Sequence, residues 1–136
     1  MSGRRWELQL PYAAPPLSMN HRRHWSRDHA VRVQLMADVH VLLLHVKLPA
    51  LDFAHIWLEW TPATVRRRDT DNLEPTRKAV IDAIVRAGRL PDDTPEYVAR
   101  PENVIHPAVL PARMNPYKRL VAVIADHAPA VIGAHR

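Results

Sequence analysis

Alternation of apolar and polar side chains predicts four extended segments along the chain. Residues 6–10 alternate in this way, and residues 53–60 repeat the pattern with four apolar positions on one face. Two further extended segments are predicted at 103–109 and 119–126, on either side of a turn at 114–117. Two of the four strands therefore precede the middle of the chain and two follow it.

Apolar residues that recur at spacings of three and four predict two helices. The first is capped by Ser26 and runs to about residue 44, and the second covers residues 75–87 with Gly88 at its C′ position. The predicted apolar stripe of the first helix consists of Ala30, Val33, Ala37, Val41 and Leu44. The stripe of the second consists of Leu73, Ile81, Ile84 and Val85. The element order predicts an α+β fold with a small mixed sheet of about four strands and two helices.

The length and composition indicate one globular domain. The 136 residues contain no repeat and no linker, so we expect a single domain over 1–127 and a flexible tail over 128–136. The chain has no cysteine, which excludes disulfides, thiolate catalysis and thiolate metal sites. The longest apolar stretch is too short for a bilayer and no apolar leader is visible, so a cytoplasmic protein without a membrane partner is expected. No glycine-rich phosphate loop occurs, so no nucleotide cofactor is expected.

The charge balance points to a polyanionic partner. Nineteen basic residues exceed 14 acidic ones, for a net charge of +5, and 16 of the 19 are arginine. Arginine forms bidentate, weakly hydrated contacts with phosphate, which suits binding to nucleic acid. The alternative is a basic protein whose charge only keeps it soluble.

The densest polar run joins three arginines, Arg66, Arg67 and Arg68, to the acidic pair Asp69 and Asp71. In an extended segment, residues two apart project to the same side, so the two carboxylates would lie together and repel each other. A hard divalent cation, which prefers several oxygen ligands, would offset that repulsion. Asp-Asp recurs downstream at residues 92–93, in a loop next to a proline.

Each acidic residue also has a purely structural interpretation. Aspartate before a helix is a favoured cap, and Asp-Asp after proline is common in turns. The combination with three arginines is better explained by a phosphodiester enzyme, in which arginines hold phosphates and carboxylates hold a metal that activates water.

The order of these motifs resembles the RusA-type Holliday-junction resolvases, many of which are phage-encoded. The resemblance runs from about residue 8 to residue 126, and a proline-rich loop at residues 15–20 also matches the family. The matching stretches are Asp69-x-Asp71-Asn72-Leu73, then Lys78-Ala79-Val80-Ile81-Asp82-Ala83-Ile84, then Asp92-Asp93.

The resemblance implies a homodimeric nuclease that nicks four-way DNA junctions symmetrically with Mg²⁺, for which Mn²⁺ is a substitute. Carried over residue by residue, the metal ligands fall on Asp69, Asp71 and Asp93, and the catalytic helix lysine falls on Lys78. Such a protein is cytoplasmic and nucleoid-associated, and is encoded by bacteria or phages. The expected function is therefore a Mg²⁺-dependent endodeoxyribonuclease of DNA recombination and repair.

The remaining predicted site residues contact DNA. Arg66, Arg67 and Arg68, with Arg22 and Arg23, would hold the junction arms, while Asn20 either fixes the proline-rich loop or touches DNA. The spacing from Asn72 to the helix lysine is about three residues longer than in the family, so either Lys78 or Arg77 fills that position. Two alternatives stay open: a non-catalytic basic DNA-binding protein of the same fold, and a nuclease for forks or flaps.

Overall fold

The computed structural model describes residues 3–19, 25–115 and 118–129. It confirms an α+β fold with two helices, although the mixed, open sheet has five strands and not about four. The helices are α1 (Trp25–Val46) and α2 (Glu74–Arg86). The strands are β1 (Arg5–Gln9), β2 (Ala54–Trp60), β3 (Val98–Ala99), β4 (Val104–Ile105) and β5 (Leu120–Ala125).

The sheet is built around β2 and β5. β5 lies antiparallel between β1 and β2, with Ile124 opposite both Trp6 and Ile56. On its other edge β2 pairs in parallel with β3 near its start and with β4 near its end. Polar residues that follow β2 therefore emerge next to β4, and this edge of the sheet carries the candidate site.

Both helices cover the same face of the sheet, and the main core lies between these two layers. α2 is the more deeply embedded helix, since seven of its 13 residues are buried. Its predicted stripe is confirmed at Leu73, Ile81 and Ile84, which are fully buried. The predicted helix end is also confirmed: Gly88 adopts a φ of 75°, a left-handed conformation that favours glycine.

The predicted apolar stripe of α1 is not the face that packs on the sheet. Leu35, Val39 and Leu43 are the buried residues of this helix. All five residues of the predicted stripe, which lie on the opposite face, are exposed. The physical reason is that α1 is apolar on two faces, so the period identifies a helix without deciding which face meets the sheet. In the described part of the chain, neither α1 nor α2 combines the length and apolar content that a membrane-spanning helix needs.

The strand prediction fails mainly between α2 and β5. Only β4 forms within the predicted segment 103–109, and β3 was not predicted. A two-residue strand is too short for an alternation of apolar and polar residues to be detected. Whether such a strand forms depends on pairing with the neighbouring strand. The predicted turn at 114–117 and the predicted tail at 128–136 lie partly outside the described residues.

Candidate nucleic-acid interface

The loop after β2, residues 61–69, folds around the side chain of Arg68. Its guanidinium donates hydrogen bonds to the carbonyl oxygen of Thr64 and to Thr64 Oγ1, both at 2.8 Å. The same group stacks 5.0 Å from the ring centroid of Trp60, at the end of β2. Arg68 therefore shapes the loop, and its donors are largely occupied by protein groups.

Arg66 and Arg67 behave differently. Both are exposed, and neither side chain forms a hydrogen bond or ion pair with any residue in the described ranges. They border an open groove of about 470 Å³, which we call the arginine groove. Its lining residues are Ala14, Pro15, Ser18, Trp60, Arg66, Arg67, Arg68, Asp69 and Asn72. The structure thus brings the arginine run, the first aspartate and the proline-rich loop together around one groove.

The proline-rich loop is fastened to the first turn of α2 by Thr76. This fully buried side chain accepts a hydrogen bond from the Leu17 amide at 3.2 Å and donates one to the Leu17 carbonyl at 2.6 Å. Trp60 Nε1 holds the start of the same loop through the Ala13 carbonyl, at 2.9 Å. No site role was assigned to Thr76 or Trp60 from the sequence. The available signal was helical spacing, since Thr76 lies three residues after Leu73 and four before Val80, on the apolar face of α2.

Asp69 acts as a helix cap. It has an extended backbone, and its Oδ1 accepts the Asp71 amide at 3.0 Å, at the start of a 3₁₀ turn over Thr70–Leu73 that leads into α2. The expected extended segment, with alternate side chains on one side, is therefore wrong beyond residue 69. The capping alternative is confirmed for Asp69. One oxygen of this carboxylate still carries no protein hydrogen bond among the described residues.

Asp71 is exposed, and its carboxylate has no hydrogen-bond or ion-pair partner within the described part of the chain. No ion pair there joins either Asp69 or Asp71 to the adjacent arginines. The loop therefore presents unneutralised carboxylates next to the two uncommitted guanidinium groups of Arg66 and Arg67. Internal ion pairing does not explain this arrangement.

Lys78 and Asp93 form an ion pair. Lys78 Nζ lies 2.5 Å from Asp93 Oδ2 and 3.0 Å from Asp82 Oδ1, and Arg32 also contacts the Asp82 carboxylate. The hydrogen bonds that Lys78 donates to the carboxylates of Asp93 and Asp82 raise the pKa of Lys78. The hydrogen bond and charge of Lys78 lower the pKa of Asp93. Both groups are therefore charged at neutral pH.

The predicted cluster of three metal-binding carboxylates is not formed in residues 3–19, 25–115 and 118–129. No group of three acidic or histidine side chains there could hold a metal ion. The Asp93 carboxylate instead forms an ion pair with Lys78. The remaining pair still suits Mg²⁺, which keeps several waters and is bound in many enzymes through one or two carboxylates plus substrate phosphates. Asp69 and Asp71 have the right chemistry for that mode. The neighbouring Asp92 serves as a turn residue, because its Oδ1 accepts the Asp93 amide at 2.7 Å.

Arg77 is buried, with 5% of its surface exposed. Its guanidinium binds the Glu74 carboxylate and the carbonyl oxygens of Ile56 and Pro101. Asn103, also buried, joins this network by donating to Glu74 at 2.9 Å. The prediction that Arg77 contacts DNA does not fit this position, and Lys78 is the helix cation beside Asp93. Glu74 and Asn103 were not singled out from the sequence.

Three predicted DNA-contacting residues, Asn20, Arg22 and Arg23, lie outside the described residues. Of the residues predicted to contact DNA, the structure describes Arg66, Arg67 and Arg68, together with the buried Arg77.

No protein-family model and no curated protein matches this sequence. The RusA-type resemblance rests on the motif residues themselves, of which Asp69, Asp71, Asn72, Lys78, Asp82 and Asp93 have been placed above.

Proposed function

We propose that this protein is a Mg²⁺-dependent endonuclease that cuts branched DNA, with the four-way junction as its substrate, in the manner of the RusA-type resolvases. The observation that carries the proposal is that one short segment, residues 66–71, presents uncommitted charges of both signs beside the arginine groove, although Asp71 does not itself line the groove. Arg66 and Arg67 present uncommitted cations, and Asp71 presents an uncommitted carboxylate five and four residues away in the chain. A surface that only binds DNA gains nothing from an anion beside the phosphate.

In the proposed function these residues have separate roles. Arg66 and Arg67 would bind backbone phosphates, since guanidinium groups match phosphate oxygens bidentately. Asp71 and the free oxygen of Asp69 would hold Mg²⁺. When bound, the ion supplies neutralisation of phosphate charge and acidifies water. Trp60 and Arg68 form the wall that keeps the loop in position for both tasks.

Lys78 supplies a further positive charge that is held in place by Asp93 and Asp82. A cation fixed near a scissile phosphate stabilises charge that develops during cleavage. In the described arrangement Asp93 positions Lys78. Asp93 would become a third metal ligand only after Lys78 binds a substrate phosphate in place of the Asp93 carboxylate.

A non-catalytic DNA-binding protein of the same fold is the second candidate. Two observations favour it: Asp69 caps the 3₁₀ turn, and Asp93 is paired with Lys78. Only Asp71 lacks such a structural role. The two functions therefore differ in what they require of Asp71 and of the metal.

A cleavage assay on labelled DNA tests the proposal. We expect a four-way junction to be nicked with Mg²⁺ or Mn²⁺, to stay intact in EDTA, and to be nicked again once Mg²⁺ is in excess. Linear duplex of the same sequence is the control. Binding of the junction without cleavage of any branched DNA would establish the second candidate. Cleavage restricted to forks or flaps would contradict the proposed substrate but support the proposed reaction.

The salt dependence of junction binding tests the two free arginines. Replacing both Arg66 and Arg67 with alanine should lower the slope of log K against log salt by about 1.8, because each lost phosphate contact contributes about 0.9. The matched control is the double variant of Arg4 and Arg5, which removes the same charge from residues that pair with Asp126 and Glu7. Equal slopes for the two double variants would show that only net charge matters.

A further inference from the structure

The loop after β2 borders a second groove besides the arginine groove. This second groove, which we call the side groove, measures about 420 Å³ and lies between the loop and the segment that follows β4. Thr64, Val65 and Arg66 line it from the loop, and His106, Pro107 and Ala108 line it from the other segment. Arg66 and Arg68 border both grooves, so the loop forms a ridge between them.

The ridge is fixed by contacts within the protein. The amide of Val109 donates a hydrogen bond to the Pro62 carbonyl at 2.9 Å, which joins the segment after β4 to the base of the loop. The buried Arg119 side chain joins the same two segments, since it donates to the carbonyls of Thr61 and Val109 at 3.0 and 3.1 Å. Because Arg68 holds the rest of the loop, two guanidinium groups shape the ridge before any ligand binds.

Val65 is the exposed apolar residue of the ridge. Its exposed fraction of 92% is the highest of any large apolar residue in the described part of the chain. Arg68 holds the residues on either side of it, through two hydrogen bonds to Thr64 and one of 3.2 Å to the Arg66 carbonyl. A single exposed valine is ordinary on a protein surface, but this one is held in place beside the uncommitted cation of Arg66. Some DNA-binding proteins insert apolar side chains between bases from such positions.

The two grooves differ in charge. Asp69 lines the arginine groove, whereas none of the described residues that line the side groove is acidic. A phosphate in the side groove would therefore meet the Arg66 guanidinium without a carboxylate that could hold a metal beside it. The arginine groove suits a strand that is cut, and the side groove suits a strand that is bound and left intact.

We propose that the ridge separates two DNA strands where they diverge at a branch point. The strand that is cut follows the arginine groove, the other strand follows the side groove, and Val65 packs against the base at the point of divergence. Opening a base stack costs least where the stacking is already interrupted, as it is at a branch. This inference rests on the proposed function, because it takes branched DNA as the substrate.

Substitution of Val65 tests the apolar contact. In EDTA, where the proposed reaction does not run, Val65→Ser should bind a four-way junction about tenfold more weakly than the wild type, since burial of one valine side chain contributes about that factor. Its affinity for linear duplex should be unchanged, and Val65→Leu should keep the affinity for the junction. The matched control is Val41→Ser, because Val41 is 64% exposed and lies on α1. Equal junction binding by Val65→Ser and the wild type would overturn the role of Val65.

Photo-cross-linking tests the paths of the two strands, and the chain has no cysteine of its own to interfere. A photo-reactive group is attached to Ala14→Cys in the arginine groove or to Ala108→Cys in the side groove, and each variant is bound in EDTA to a fork whose strands carry different labels. We expect the two variants to cross-link to different strands. Ala50→Cys, an exposed control position outside both grooves, should favour neither strand. Cross-linking of both groove variants to the same strand would overturn the separation.

The proposed nuclease and the strand separation fail under different results, because neither binding nor cross-linking requires cleavage. Cleavage of a junction in Mg²⁺, together with cross-linking of both groove variants to one strand, would overturn the strand separation and support the nuclease. Cross-linking to different strands by a protein that cuts no branched DNA would support the strand separation and refute the nuclease. A protein that binds no branched DNA would overturn both.

Discussion

Asp71→Asn should reduce cleavage of a four-way junction by at least about 1,000-fold while binding of the junction persists or tightens. The variant removes one negative charge from the proposed Mg²⁺ ligands and keeps the shape of the side chain. Loss of about 4 kcal/mol of transition-state stabilisation, a typical contribution of a catalytic metal, corresponds to that factor. Binding persists because neutralising the carboxylate also removes its repulsion of phosphate. Single-turnover cleavage and gel-shift titration measure the two effects separately.

Two further variants make this result specific. Asp52→Asn, in an exposed loop before β2, is the isosteric control and should cut at the wild-type rate. Asp69→Asn keeps the cap of the 3₁₀ turn, because asparagine caps as well as aspartate, but it removes the charge. It should therefore lose cleavage without losing thermal stability. Near wild-type cleavage by Asp71→Asn would refute the metal site. Cleavage by Asp69→Asn would show that Asp69 only caps the 3₁₀ turn and is not a Mg²⁺ ligand.

Arg77→Ala should lower the free energy of unfolding by about 3 kcal/mol, a large part of the 5 to 15 kcal/mol that stabilises an ordinary domain. The substitution removes the Arg77 donor from the buried Ile56 carbonyl and the partly buried Pro101 carbonyl, and it leaves Glu74 with the Asn103 amide as its partner among the described residues. Glu74 is partly exposed, so water replaces some of that loss and keeps the effect at the lower end for a broken buried pair. Urea denaturation at neutral pH gives the value directly.

Arg67→Ala is the matched control for Arg77→Ala, because the Arg67 side chain is exposed and forms no hydrogen bond or ion pair with a described residue. Its stability should stay within about 0.5 kcal/mol of the wild type, while its junction binding weakens. The opposite pattern is an Arg77→Ala variant that is stable but binds DNA poorly. That result would show that Arg77 contacts DNA, contrary to the conclusion drawn from its burial.

The long elements and the main site residues could be predicted from the sequence. β1, α1, β2, α2 and β5 each repeat a period over five or more residues, so their limits agree with the structure to within two residues. The contiguity of the arginines with Asp69 and Asp71 also placed them in one loop without knowledge of the fold. Local spacing determines such features because the residues involved are neighbours along the chain.

Only the tertiary structure decided which cation accompanies Asp93 and which face of α1 is buried. Arg77 and Lys78 are adjacent, but consecutive residues of a helix point about 100° apart. The sheet and the loop around Pro101 therefore enclose Arg77, while Lys78 turns toward Asp93. In α1 both faces are apolar at helical spacing, so the period is satisfied by either orientation. Contacts between residues far apart in the chain determine both the partner of Asp93 and the buried face of α1. No local sequence pattern encodes such contacts.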